Sequence, residues 1–156
     1  MIKKVLGRTG LEVTQLGYGS MGVRGPRTWG IRVVSEQEAE SFLNGVLDAG
    51  INFIDTSPDY GISEQRIGQY ISSRRSEFYL ATKCGCAYTQ HEDHLEIDHV
   101  WKKEVIERNI ETSLRRLRTD YVDILQFHGG DAETLQREGL IDVLVSLREQ
   151  GLIRWI

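Results

Sequence analysis

Three features of the sequence predict a parallel-sheet α/β fold. Short apolar runs that end in polar residues or glycine alternate with amphipathic helical patterns. Glycines punctuate the helical stretches at positions 50 and 151. No linker, low-complexity segment or composition break interrupts the 156 residues, so one domain spanning 1–156 is expected, with no second domain.

The elements follow in order. Residues 3–6 and 11–15 are short extended runs around Gly7-Arg8-Thr9-Gly10, which predicts an N-terminal hairpin. A first strand is expected at 15–19. Ser35 with Glu38 has the spacing of a capping box, and Phe42, Leu43, Val46 and Leu47 form one apolar stripe ending at Gly50. A second strand covers 51–55, and Ser63 is the expected cap of a short helix reaching about residue 73. A third strand covers 77–83, and 84–100 reads as a long loop of mixed polarity. A helix over 102–117 carries Ile106, Ile110, Leu114 and Leu117 on one face. The fourth strand is 121–127. One helix over 135–150 carries Leu140, Val143, Leu144 and Leu147, and 152–156 opens a fifth strand. Five strands suit an open doubly wound sheet. They also suit the first half of a closed (β/α)8 barrel, which needs roughly 250 residues or more.

Composition excludes several classes. Apolar residues are 40%, charged residues 27% and prolines only 2, which is incompatible with a disordered or collagen-like chain. No apolar run reaches the ~20 residues of a membrane helix. A net charge of −4 argues against nucleic acid or an anionic membrane as partner. The opening MIKKVLGRTG has no apolar core of a signal peptide, so a cytoplasmic location is expected. The C-x-C spacing of Cys84 and Cys86 is poor for a mutual disulfide, so both are read as reduced thiols.

The strand ends carry the chemistry. Asp55 ends the second strand, Lys83 the third, and His128 follows the fourth, with Tyr60 in the loop after Asp55. Strand C-termini of parallel α/β folds gather on one face, where active sites form. Each residue alone has a bland reading: a turn former, a solvated ammonium, a packing ring, a satisfied imidazole. On successive strands of one sheet they form an acid–base set. A phenol gives up its proton reluctantly at neutral pH, and a neighbouring ammonium stabilises the phenolate. Asp55 can keep Lys83 charged and aimed, and His128 can donate to a substrate oxygen. Such a set suits protonation of a developing alkoxide, the oxygen half of carbonyl reduction. These side chains hold no hydride, so a nicotinamide cofactor is implied.

The motifs resemble those of the aldo-keto reductases. Leu6-Gly7-Arg8-Thr9-Gly10-Leu11-Glu12-Val13 followed by Leu16-Gly17-Tyr18-Gly19-Ser20-Met21-Gly22 is similar to that family's N-terminal hairpin and first strand. Ile54-Asp55-Thr56-Ser57-Pro58-Asp59-Tyr60-Gly61-Ile62-Ser63-Glu64 resembles its Asp/Tyr signature, and Ala81-Thr82-Lys83 its lysine strand. Ser113-Leu114-Arg115-Arg116-Leu117 with Asp120-Tyr121-Val122-Asp123 and Gln126-Phe127-His128 resembles its histidine strand. The resemblance implies a (β/α)8 barrel, present here as a partial barrel: the hairpin, four βα units and the start of the fifth strand. It implies an oxidoreductase that reduces an aldehyde or ketone with NADPH, NADH being the alternative cofactor. Tyr60 is then the proton donor, Lys83 eases loss of its proton, Asp55 supports Lys83, and His128 orients the carbonyl. Gly19, Ser20, Met21 and Asp55 are the implied cofactor contacts. The family's second half, which carries most grips on the cofactor's phosphates, has no counterpart in residues 1–156. A non-catalytic half-barrel that self-associates or only binds is therefore the rival reading. Arg118 stands where the family usually has glycine, at a position that favours a left-handed backbone.

The sequence carries three other signals. Gly17-x-Gly19-x-x-Gly22 fits a dinucleotide fingerprint, but a loop containing Pro26 and Trp29-Gly30 follows where that fingerprint needs a helix. Cys84, Cys86, His91, His94 and His99 fall within 16 residues, which raises a metal-dependent hydrolase, yet their spacing matches no common zinc pattern and no metal is assigned. Arg115, Arg116 and Arg118 read as a solvated helix end.

Overall fold

The computed structural model describes residues 1–28, 32–137 and 139–156; Trp29-Gly30 of the predicted loop lies outside them. The hairpin forms from β1 (Lys3–Val5) and β2 (Glu12–Thr14), paired antiparallel. The first barrel strand is shorter than the sequence suggests: β3 is Tyr18–Gly19, and a single 3-10 turn over Ser20–Val23 follows. No α-helix opens at Gly22, which disposes of the dinucleotide fingerprint. Helix α1 (Glu36–Asp48) starts at the expected capping box. The Glu38 amide donates to Ser35 Oγ at 3.2 Å, and the Ser35 amide donates to Glu38 Oε2 at 2.7 Å. Its buried face is Ala39, Leu43, Val46 and Leu47. Phe42, expected on that stripe, is 56% exposed and leans on Tyr18 at its edge, ring centroids 5.4 Å apart.

β4 (Phe53–Asp55) leads to α2 (Ser63–Tyr70). Ser63 does not cap this helix. Ile62 is the cap residue, and Ser63 Oγ instead donates to the Ser20 carbonyl at 2.8 Å, tying the turn after β3 to α2. β5 (Tyr79–Cys84) is followed by a second hairpin, β6 (Cys86–Gln90) and β7 (Leu95–His99), where the sequence suggested a loop. Helix α3 (Lys103–Leu117) buries Ile106, Ile110 and Leu117 as expected and stops at Arg118, whose φ of +53° is left-handed. β8 (Val122–Phe127) then leads to two helices rather than one, α4 (Ala132–Arg137) and α5 (Leu140–Glu149), with Gly139 at φ +64° before the second. β9 (Ile153–Trp155) completes the chain order.

The parallel sheet runs β3-β4-β5-β8-β9, so each strand pairs with the next across an intervening helical segment. This is the open arc of a (β/α)8 barrel. One face carries the main core, where Ile54, Leu80 and Leu125 pack against Leu43, Ile67, Ile106, Ile110 and Leu144. Each such fully buried side chain contributes on the order of 1.5–3 kcal/mol. The opposite face holds a smaller cluster: Ala81 and Ile124 with Phe53, Tyr79 and Trp155, covered by Leu11 and Val13 of the N-terminal hairpin. Asn52 fixes that hairpin, since its Oδ1 accepts from the Thr14 amide at 2.6 Å and its amide donates to Thr14 Oγ1 at 3.1 Å. α2 and α3 approach so closely at Gly68 that a Cβ there would collide with the Arg116 carbonyl. Among the described residues no helix is long and apolar enough to cross a membrane.

Candidate active site

The period-two alternation of strands puts Phe53 and Asp55, Tyr79, Ala81 and Lys83, and Ile124 and Gln126 on the face covered by the N-terminal hairpin. Parallel register pairs Gly19 with Asp55, Asp55 with Ala81, and Lys83 with Gln126. Asp55 and Lys83 thus lie on neighbouring strands, two positions apart, both near the C-terminal edge. Lys83, only 8% exposed, donates from Nζ to Asp55 Oδ2 at 2.8 Å and to the Thr56 carbonyl at 2.7 Å. A buried ammonium needs such partners to stay charged.

Tyr60 reaches this pair from the turn after β4, which is held by its amide donating to the Ser57 carbonyl at 3.1 Å. The Lys83 ammonium stands 5.0 Å from the Tyr60 ring centroid. His128 follows β8, placed by its amide donating to the Cys84 carbonyl at 3.0 Å and by Trp101 Nε1 donating to the His128 carbonyl at 3.0 Å. Its ring meets Tyr60 edge-on, centroids 6.3 Å apart. Asp55, Tyr60, Lys83 and His128 therefore share one rim of the sheet. Of the expected cofactor contacts, Gly19 lies beside Asp55, Ser20 is buried, and Met21 is 44% exposed. Ser20 Oγ and Thr56 Oγ1 are buried hydroxyls with no hydrogen-bond partner.

Several residues important to this rim escape a linear reading. Asn109 of α3 accepts from the Gly85 and Cys86 amides at 3.0 Å each and donates to the Cys86 carbonyl at 2.9 Å, pinning the strand exit after Lys83. Trp101 packs so tightly on Gly85 that a Cβ there would lie 2.6 Å from its Cδ1. Arg116, expected in solvent, turns inward. It donates to the Pro58 carbonyl at 3.1 Å and faces Glu64 Oε2 at 3.4 Å, bracing the loop that carries Tyr60. Glu64 also accepts from Thr82 Oγ1 at 2.8 Å, and burial pushes its carboxyl above the usual range against those bonds. Glu64 and Arg116 sit on different helices 52 residues apart, so no local spacing signals their pairing.

The cysteine–histidine group divides. Cys84 faces the main core, where burial pushes its thiol up to about 12. His91 and His94 stack on each other, centroids 4.5 Å apart, among exposed residues between β6 and β7. Cys86 and His99 are direct cross-strand partners at the base of that hairpin, beside His128. A groove of about 860 Å³ runs along α1, lined in part by Tyr18, Val34, Phe42 and Val46, and includes none of the four rim residues.

Comparison with known proteins identifies the family. The family model for the aldo/keto reductase family matches residues 15–156. An uncharacterised oxidoreductase of Bacillus subtilis, YqkF, is 32% identical over 99% of this chain and 47% of its own length. L-galactose dehydrogenase of Arabidopsis thaliana is 34% identical over 98% of this chain and 46% of its own. An aldo-keto reductase from Bacillus halodurans, solved in its holo form, superposes with a TM-score of 0.84 at 34% identity, covering 99% of this chain and 49% of that one. The chain thus spans about half the length of the relatives it matches. On the family match, the relatives and the shared barrel architecture together, the chain belongs to the aldo/keto reductase family.

Proposed function

We propose that residues 1–156 carry the proton-transfer half of an NAD(P)H-dependent carbonyl reductase. Tyr60 donates its phenolic proton to the oxygen of an aldehyde or ketone as that oxygen gains negative charge. Lys83 stabilises the phenolate that remains, and Asp55 keeps the ammonium in place. His128 donates a hydrogen bond that orients the carbonyl. A nicotinamide cofactor, NADPH or alternatively NADH, supplies the hydride when bound. Gly19, Ser20, Met21 and Asp55 would hold its nicotinamide end. The product is the alcohol, with one hydride on carbon and one proton on oxygen.

The observation that carries this reading is the Asp55–Lys83 ion pair at 2.8 Å with Tyr60 and His128 around it. The half-buried Tyr60 and His128 suit small carbonyl compounds, and free Cys84 and Cys86 suit a reducing compartment such as the cytoplasm. The test is a titration of NADPH fluorescence and a steady-state assay with a panel of aldehydes, on a full-length barrel containing residues 1–156. Cofactor oxidation matched one-to-one by alcohol formation is expected. Absence of cofactor binding and turnover in a folded protein would refute the reading.

A further inference from the structure

Four potential metal ligands of three different types converge beside the proton-transfer rim. Asp59, Cys86, His99 and His128 each offer one ligand atom, and all four atoms lie within 4.8 Å of one another. His128 Nδ1 is 3.2 Å from Cys86 Sγ and 3.3 Å from Asp59 Oδ2, and His99 Nε2 is 3.7 Å from the same Asp59 oxygen. Two imidazoles, a thiol and a carboxylate around one point are a borderline-soft set. Tetrahedral zinc with ordinary bond lengths separates such ligands by about 3.4–3.6 Å, close to these three distances, and binding draws the remaining pairs in from at most 4.8 Å.

The fold builds this arrangement rather than leaving it to a mobile surface. Antiparallel register sets Cys86 directly opposite His99, and Asn109 clamps the Cys86 backbone on both sides. Asp59 is 2% exposed, in the turn braced by Arg116 through Pro58. Direct hydrogen bonding leaves the set incomplete. Cys86, Asp59 and Ser57 Oγ, at 3.4 Å, all crowd the single nitrogen Nδ1 of His128, which can make one good bond. Asp59 Oδ1 and His99 Nε2 are buried without a hydrogen-bond partner. Buried polar atoms in a native fold ask for a partner, and a cation at the centre engages all four side chains at once.

We propose that Asp59, Cys86, His99 and His128 form a zinc site. Cys86 binds as the thiolate, so its S–H proton passes to solvent as the Zn–S bond forms. Metal on Nδ1 fixes His128 as the tautomer with its hydrogen on Nε2. That tautomer is the donor required by the proposed carbonyl reduction; this consequence rests on that reading, whereas the metal site does not.

The experiment is equilibrium binding of Zn²⁺ and of Co²⁺ to the purified full-length protein, with folding checked by circular dichroism. One Zn²⁺ per chain is expected, with a thiolate-to-cobalt charge-transfer band in the Co²⁺ form. Cys86→Ser should abolish that band and weaken binding at least about tenfold, and His99→Ala should weaken it comparably. The double change His91→Ala/His94→Ala removes the exposed histidine pair of the same hairpin and should leave binding unaltered. Absence of stoichiometric binding in folded protein would overturn the proposal. So would binding that survives Cys86→Ser and His99→Ala together, or that is lost with His91 and His94. Because the readout is binding, a failed reductase assay leaves the result intact.

Discussion

Lys83 and Asp55 form an ion pair of 2.8 Å between adjacent parallel strands, and the register places them two positions apart rather than side by side. The lysine reaches back along the sheet, so its ammonium lies between the carboxylate, the Thr56 carbonyl and the Tyr60 ring. That diagonal couples the end of β4 to the end of β5 and fixes where positive charge sits on the rim. Everything that supports these strand ends also supports the charge.

Asn109→Ala should destabilise the fold and loosen the exit of β5. The substitution leaves the Gly85 and Cys86 amides and the Cys86 carbonyl without their present partners. Each buried group left unsatisfied costs about 1–3 kcal/mol. Urea denaturation should show a lowered midpoint with an unchanged slope. A midpoint equal to that of the unaltered protein would mean that water replaces the side chain fully.

Asp123→Ala should be among the most destabilising single changes. Asp123 is 1% exposed, and its Oδ2 accepts from Arg75 Nη2 at 2.6 Å and from the Leu80 amide at 2.9 Å. Removing one partner of a buried pair costs about 3–5 kcal/mol. Replacing both, as Arg75→Met/Asp123→Leu, should recover part of the loss. Thermal unfolding of the two variants decides this, and a single variant as stable as the parent would remove the pair from the account.

Glu64→Gln should change how stability depends on pH. Burial raises the Glu64 carboxyl above its ordinary 4.5 in the folded protein. Below 4.5 the side chain is protonated in both states and burial of charge carries no penalty. As pH rises past that value the unfolded chain ionises first, and the folded protein loses stability until its own carboxyl ionises. The parent should therefore lose stability relative to the glutamine variant across a window that opens near 4.5 and extends upward. Parallel urea midpoints across that range would contradict this.

Much of this was legible in the residues. Ser35 and Glu38 announced α1 because a capping box is local, and Asp55, Lys83 and His128 announced the rim because strand ends are. The second hairpin was hidden by the polar stretch around His91 and His94, although Leu95, Ile97 and His99 alternate with Glu96 and Asp98 as a strand should. Gly139 separates α4 from α5 through a left-handed φ that an apolar stripe does not register. Asn109 and Arg116 act on backbone groups more than twenty residues away, and no local pattern encodes such partners. The same holds for Asp59, whose neighbours Cys86, His99 and His128 come from three other segments.

Residues 1–156 alone should self-associate. β3 and β9 are the edges of the parallel sheet and offer unpaired backbone groups. Phe42 and Ile156 are 56% and 51% exposed, and the groove along α1 adds apolar surface. Light scattering should show dimers or larger species. A monodisperse monomer would show that the open arc is stable with both edges in water.

The proposed role of Tyr60 as proton donor is decided by Tyr60→Phe in a full-length barrel. The ring and its packing remain while the proton is lost. NADPH affinity by fluorescence titration should be unchanged, and carbonyl reduction should fall on the order of 10²–10⁴-fold. Near-normal turnover by Tyr60→Phe would rule Tyr60 out as the proton donor and move that role elsewhere, with His128 the first candidate.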